Sequence, residues 1–277
     1  MPMDPAILAR AAEAAAAHER RCLLCEHRCG VDRAAGDLGP CRAGVEARVF
    51  RHRVEHGEEP ELVPSHLFYL SGCDLRCAFC IAEERAFDPR IGTPLDAPFL
   101  RRALEWGRAR GARNLQWVGG EPTIHLPAIL RAMAGAGALP PIVWKTDLHA
   151  TPEALALLSG VVDVQVADFK FGNDACAARI AGVPRYVEIV TRNLLLVAAS
   201  TRLIVRHLLL PGHFECCFLG IVRWLADHLP GARVSIRDGY LPKWQARHHA
   251  DLRAPLPADA GSLARREAAL LGLNVVE

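Results

Sequence analysis

The sequence predicts an α/β protein: six strand–helix units in an open, partial (β/α)6 barrel or a doubly wound sheet, preceded by an N-terminal cysteine-rich lobe. Three observations predict it. From residue 66 onward, short β-branched or apolar runs alternate about six times with helical patterns, the signature of a parallel sheet with crossover helices. The 277-residue length is long for one compact domain but ordinary for an α/β barrel, and the 51% of hydrophobic residues can fill a large core. Finally, the cysteines are gathered: Cys22, Cys25, Cys29 and Cys41 form one group, and Cys73, Cys77 and Cys80 a second, just past the first barrel strand.

Residues 5–21 read as an Ala-rich helix, with Asp4 as its N-cap and Pro5 at its first position. The stretch "CLLCEHRCGVDRAAGDLGPC" leaves little room for regular structure, and 46–63 read as irregular or strand connection closed by Pro60 and Pro64. Strands follow at 66–72, 114–120, 141–147, 162–170, 202–210 and 232–238, with helices near 97–110, 126–136, 152–159, 184–199 and 214–229. A Pro-rich loop (251–260) and a terminal helix (261–272) complete the chain. The organisation expected is a lobe over 1–62, a core over 63–240 and a C-terminal cover over 241–277. A catalytic site belongs at the C-terminal ends of the strands.

Composition narrows the function. A net charge of +2 gives no basic face for nucleic acid and no acidic tail. The first 22 residues lack the basic start and unbroken apolar run of a leader, and no apolar run reaches membrane-spanning length. The expectation is a cytoplasmic protein with no membrane and no nucleic-acid partner, whose clustered thiols bind metal in preference to forming disulfides.

Cys73-x3-Cys77-x2-Cys80 offers three thiolates where structural zinc or an ordinary iron–sulfur cluster takes four. Three thiolates on a [4Fe–4S] cube leave one iron open to a ligand; the competing reading is a zinc knuckle completed by His66 or His56. With Phe79 before the last cysteine, the motif resembles the signature of the radical S-adenosylmethionine (SAM) superfamily. That resemblance implies a partial (β/α)6 barrel and a [4Fe–4S] cluster on Cys73, Cys77 and Cys80. It implies reductive cleavage of SAM to a 5′-deoxyadenosyl radical that abstracts hydrogen from a substrate. "VGGEP" (118–122) follows the second strand. Its glycines let the backbone approach a ligand closely, and the resemblance assigns Gly119, Gly120 and Glu121 to the methionyl amino group. Phe79 is counted with the cofactor-binding residues. "ADFKFGND" sets Asp168 and Lys170 on one strand face, and "IVRHLLLPGH" sets Arg206 in an apolar run, where a charge needs an anionic partner. The three resemble the residues of glycyl-radical activating enzymes that hold the SAM carboxylate and ribose. Lys145 and Asp147 are weaker candidates. The wording "HGEEP", "VGGEPT…HLP", "ADFKFGND" and "VRHLLLPGH" is similar to the PflX-type branch, related to the pyruvate formate-lyase activating enzyme. Implied partners are a small-molecule, peptide or protein substrate and a one-electron reductant such as flavodoxin or ferredoxin.

Cys22, Cys25, Cys29 and Cys41 form a complete ligand set for either a second [4Fe–4S] cluster or zinc. Cys216 and Cys217 are adjacent, which suits neither a disulfide nor shared ligation. They read as small buried side chains, with a hydrogen-donating thiol as the functional alternative. Cys176 reads as structural, and "RHH" (247–249) as solvated surface. His125, His207 and His213 lie near strand tops, where a satisfied hydrogen-bonding role is the default. "HGEEP" (56–60) is expected to pack the lobe on the barrel. A different class of reading, a non-catalytic zinc-binding scaffold or regulatory protein, makes both cysteine groups structural.

Overall fold

The computed structural model describes residues 3–57 and 59–276. Helix α1 (Pro5–Arg20) begins as expected: the Asp4 carboxylate accepts from Ala6 N at 2.8 Å and Pro5 occupies the first turn. Its small buried face (Leu8, Ala11, Ala15) lies against the barrel's helical layer. Residues 22–47 are irregular apart from one bridge, Cys25 with Ala150. Strand β1 (Arg48–Glu55) then runs antiparallel to β2 (Ser65–Leu70), and the short β3 (Thr93–Pro94) pairs with β1. Helix α2 (Ala97–Arg108), β4 (Asn114–Gly119), α3 (Leu126–Ala136), β5 (Ile142–Thr146), α4 (Pro152–Ala156) and β6 (Val164–Asp168) follow in turn. After them come α5 (Asp174–Ala181), α6 (Tyr186–Ala198), β7 (Arg202–Leu208), α7 (Gly220–His228), β8 (Arg233–Arg237), α8 (Ala260–Leu270) and β9 (Asn274–Val276).

One nine-stranded sheet results, in the order β3-β1-β2-β4-β5-β6-β7-β8-β9, parallel from β2 onward. That order decides between the two expected architectures. A doubly wound sheet reverses strand order at a switch point. Here each parallel strand joins the outer edge of the one before it, so right-handed crossovers place every helix on one face and the sheet curls into an arc. All six predicted strands are present; β1, β3 and β9 extend the sheet at its edges, and α5 is an additional helix.

The large apolar layers lie outside the arc. One packs β2, β4 and β5 against α1–α3 through Phe68, Trp117, Trp144 and Ile129; the other packs the later strands against α5–α8. Among the described residues, the concave side holds a small apolar group: Val143, Val164, Val166 and Ile204, with Leu62 inserted among them from the segment before β2. Alternation along each strand sends the next inward positions, Lys145, Asp168 and Arg206, to the same concave side. Among the described residues, no helix is long and apolar enough to cross a membrane.

Candidate active site

The three-cysteine loop begins where β2 ends. Ser71 N donates to Arg48 O and Ser71 Oγ to Ile91 O, fixing the strand exit. The loop hangs from the C-terminal end of α5: Arg76 N donates to Ala181 O at 2.9 Å and Ala78 N to Ile180 O at 2.8 Å. Arg76 closes the turn through its side chain to Cys73 O at 2.7 Å. Cys73 and Cys77 are buried and Cys80 half-buried. The Phe79 ring is buried with Phe171 and Tyr240 at centroid distances of 6.3 and 6.5 Å.

Acids crowd one side of this loop. Cys73 Sγ lies 3.8 Å from Asp147 Oδ2. Asp74 is buried, with Oδ2 2.9 Å from His149 Nδ1 and its carbonyl 2.9 Å from His27 Nε2. Glu121 is buried too: Oε1 accepts from Thr123 N and Thr146 Oγ1, both at 2.9 Å, and Oε2 from Asp147 N at 2.8 Å. It thereby caps the turn Pro122–His125. Burial pushes the Cys73 thiol well above its ordinary range, and Asp147 and Asp74 add to the effect. Burial, then Asp74, raises Glu121 to about 7 and lifts Asp147 well above a normal carboxyl. Burial also opposes ionisation of Asp74, yet the hydrogen bond and charge of His149 outweigh it and hold that acid low.

Cations balance the other side. Lys170 Nζ sits 2.5 Å from Asp168 Oδ2, and Arg206 Nε lies 3.9 Å from Asp168 Oδ1, across a parallel ladder that pairs the two residues. Asp168, Lys170 and Arg206 are therefore brought together. Burial disfavours charge on both Asp168 and Lys170, but each holds the other ionised. Lys170 also favours the thiolate of Cys77, whose thiol burial raises to about 12.

Two parts of this set make contacts that the sequence alone does not give. Glu59, of "HGEEP", joins the end of the lobe to the concave side of the barrel: it is 3.9 Å from both Lys145 Nζ and Arg206 Nε and accepts from Ser235 Oγ at 3.2 Å. Glu58 of that motif lies outside the described residues. The Gly119–Gly120 pair meets backbone: a Cβ on Gly120 would overlap the Gly72 carbonyl, and one on Gly119 would overlap Leu70. His66, weighed as a zinc ligand, bonds His52 at 3.0 Å on the helical side of β2. His125 Nε2 bonds Ser71 O and His207 Nδ1 bonds Phe169 O, each at 2.7 Å, while His125 Nδ1 is buried without a hydrogen-bond partner among the described residues. Asp74, Asp147, His149 and Glu59 are the residues that sequence reasoning undervalued or missed. Asp74 carries a signal in its position inside the cysteine loop; Glu59 carries one in "HGEEP", which does not say which strands it meets.

The lobe borders the same site. Glu26 N donates to His149 O, Thr151 N to Leu24 O and Thr151 Oγ1 to Leu23 O, strapping Cys22–Cys29 to the loop after β5. Burial raises the thiols of Cys22, Cys25 and Cys41, and the neighbouring lobe cysteines add to the effect.

The donor set of the three-cysteine loop fits a multi-iron cluster. A tetrahedral zinc with 2.3 Å bonds draws its sulfurs to about 3.8 Å of one another. Cys73, Cys77 and Cys80 are not among the groups whose ligand atoms all lie within 4.8 Å, and neither are the four lobe cysteines. Sulfurs spread more widely suit separate corners of a cube.

Sequence comparison agrees with this geometry. The model of the Radical SAM superfamily matches residues 67–225, more than half of the chain. The chain belongs to the radical SAM superfamily. It is 34% identical over 244 residues to the uncharacterized protein MJ0674 of Methanocaldococcus jannaschii, covering 86% of this chain and 71% of that one. Among solved structures, the fold is similar to SuiB of Streptococcus suis bound to its precursor peptide SuiA (TM-score 0.55, 13% identity, 73% of this chain and 46% of that one). It is similar as well to SuiB bound to S-adenosylmethionine (TM-score 0.53, 15% identity, 73% and 47%). The chain thus spans a little under half the length of SuiB. Radical SAM membership implies an enzyme using a [4Fe–4S] cluster and SAM, and displaces the scaffold reading.

Proposed function

We propose that this radical SAM protein reductively cleaves SAM and uses the resulting 5′-deoxyadenosyl radical to abstract hydrogen from a peptide or protein substrate. The observation that carries the reading is the meeting, at the strand tops, of the three-cysteine loop with the Asp168–Lys170–Arg206 set. When bound, the cluster and SAM supply one-electron cleavage and hydrogen abstraction; the chain's own residues bind, orient and exclude water. Cys73, Cys77 and Cys80 hold the cluster. Phe79 packs the loop that carries them. Lys170 and Arg206 offer cationic donors to the SAM carboxylate, and Asp168 an acceptor to its ribose. Glu121 has three hydrogen bonds on about four acceptor sites, so Oε2 can still receive one from the methionyl amino group, beside Gly119 and Gly120.

The similarity of "HGEEP" and "ADFKFGND" to the PflX-type branch supports an activase-like role, and the peptide bound by SuiB supports the substrate class. Electrons come from an external donor such as flavodoxin or ferredoxin, in the cytoplasm. We assign residues 1–62 as the metal-binding lobe, 63–240 as the core and 241–277 as a C-terminal cover, with a second [4Fe–4S] cluster on Cys22, Cys25, Cys29 and Cys41. The test is anaerobic. Protein reconstituted with iron and sulfide, given reductant and SAM, yields 5′-deoxyadenosine by mass spectrometry, and Cys77→Ala does not; unchanged cleavage in the variant overturns the assignment. A Cys22→Ser/Cys25→Ser variant retains the first cluster and about half the iron.

A further inference from the structure

Four ligand-type side chains outside the radical site converge near the corner after β7. Cys176 Sγ, His213 Nδ1, Cys216 Sγ and Cys217 Sγ all lie within 4.8 Å of one another. The sulfur-to-sulfur distances are 3.9 Å for Cys176–Cys216 and 3.9 Å for Cys216–Cys217. The sulfur-to-Nδ1 distances are 3.5, 3.3 and 3.7 Å for Cys176, Cys216 and Cys217. A tetrahedral zinc with Zn–S of 2.3 Å and Zn–N of 2.0–2.1 Å requires about 3.8 Å between sulfurs and about 3.6 Å from sulfur to nitrogen. We propose that Cys176, His213, Cys216 and Cys217 bind a structural zinc ion.

Three features beyond the distances favour a built site. His213 turns Nδ1 toward the sulfurs while its buried Nε2 meets Asp251 Oδ2 at 2.8 Å, the carboxylate–histidine arrangement that orients a zinc-bound imidazole. Arg179 pairs with Asp251 at 2.5 Å and lies 3.4 Å from His213 Nε2, a cation where a three-thiolate zinc centre is net negative. Asn173 caps α5 with its oxygen and directs its amide nitrogen to Cys217 Sγ at 3.6 Å.

Local geometry explains how adjacent cysteines share one ion, which the sequence argued against. Residues Phe214–Leu219 form a π-helical turn before α7, a conformation frequent at functional sites. It leaves both sulfurs within reach of His213. A disulfide does not account for the group, because 3.9 Å is far beyond the 2.05 Å of an S–S bond. An iron–sulfur cube would need sulfurs at separate corners.

The site joins the N-terminal turn of α5 to the β7–α7 corner. The opposite end of α5 carries Arg76 and Ala78 of the three-cysteine loop. Zinc would thereby fix the helix from which the radical-site loop hangs, without touching that site. The proposal stands whether or not SAM is cleaved.

Zinc can be read apart from iron. Full-length protein purified without chelator is expected to contain one zinc per chain, with a zinc-edge X-ray absorption shell of three sulfurs and one nitrogen and Zn–S of about 2.3 Å. Cys22→Ser/Cys25→Ser should keep that zinc, and Cys176→Ser/His213→Ala should lose it. Absence of zinc from the soluble wild type, a four-sulfur shell, or zinc persisting in Cys176→Ser/His213→Ala each overturns the proposal. If the second variant fails to fold, the wild-type shell and the lobe variant decide it alone.

Discussion

A single added methyl tests why the chain carries glycine at 120. Its Cβ would enter the carbonyl of Gly72, a backbone atom that cannot rotate away. Gly120→Ala should therefore destabilise the cofactor-free protein by about 3 kcal/mol or more, read as a lower urea midpoint. A variant that unfolds normally but binds SAM poorly would return the glycine to a ligand-clearance role. Glu59 makes the complementary case. It is nearly inaccessible and lies between the buried Lys145 and the half-buried Arg206, so Glu59→Ala should cost about 3 kcal/mol in the same measurement, chiefly because the buried Lys145 cation loses an acid 3.9 Å away. Wild-type stability in that variant would show that other partners suffice. These residues divide the legible from the illegible. Cys73 and Glu121 stand within three positions of their strand ends, and Cys77 and Cys80 follow Cys73 at fixed spacing, so local pattern reveals them. Glu59 meets partners on β5, β7 and β8, and no local pattern records contacts made 86, 147 and 176 residues away along the chain.

Among the elements, the segment before β2 has the clearest consequence. Leu62 enters the concave side with Val143, Val164, Val166 and Ile204, closing the end of the arc opposite the candidate site. Leu62→Ala leaves a cavity there and should cost about 2–5 kcal/mol by urea unfolding, with cluster uptake unchanged in the folded fraction. A loss below about 1 kcal/mol would mean that the strands close over the gap. Elements with strong local signals were read from the sequence: α1 through Asp4 and Pro5, α3 and α6 through their apolar periodicity. Helix α5 was not, although Asn173 and the left-handed Gly182 bound it, because its eight residues expose only Ala177, Ile180 and Ala181 as a buried face. Strand β1 buries only Val49 fully and leaves its other positions half-buried or exposed, so it lacks the apolar contrast that marks a strand.

For the whole molecule, burying histidines beside the sheet makes stability depend on pH, with contributions of two signs. Burial holds His207 at about 4, against an ordinary 6.5, and does the same to His66, with His52 adding to it. Both imidazoles are neutral in the fold. Their contribution is complete above 6.5 and is lost as pH falls through 4, because the unfolded chain binds those protons first. For His207 that contribution is ~3 kcal/mol. Glu121 acts oppositely: held at about 7 against an ordinary 4.5, its contribution is complete below 4.5 and lost as pH rises through 7. The raw stability profile therefore mixes the two, and a flat curve would be uninformative. The difference between wild type and His207→Gln isolates one of them, since Glu121 is common to both. The wild-type advantage over the variant should shrink steadily between pH 6.5 and 4 in paired urea titrations. A constant difference across that window would mean that the imidazole titrates alike in both states, and that the hydrogen bond to Phe169 O, not exclusion of charge, accounts for its place on β7.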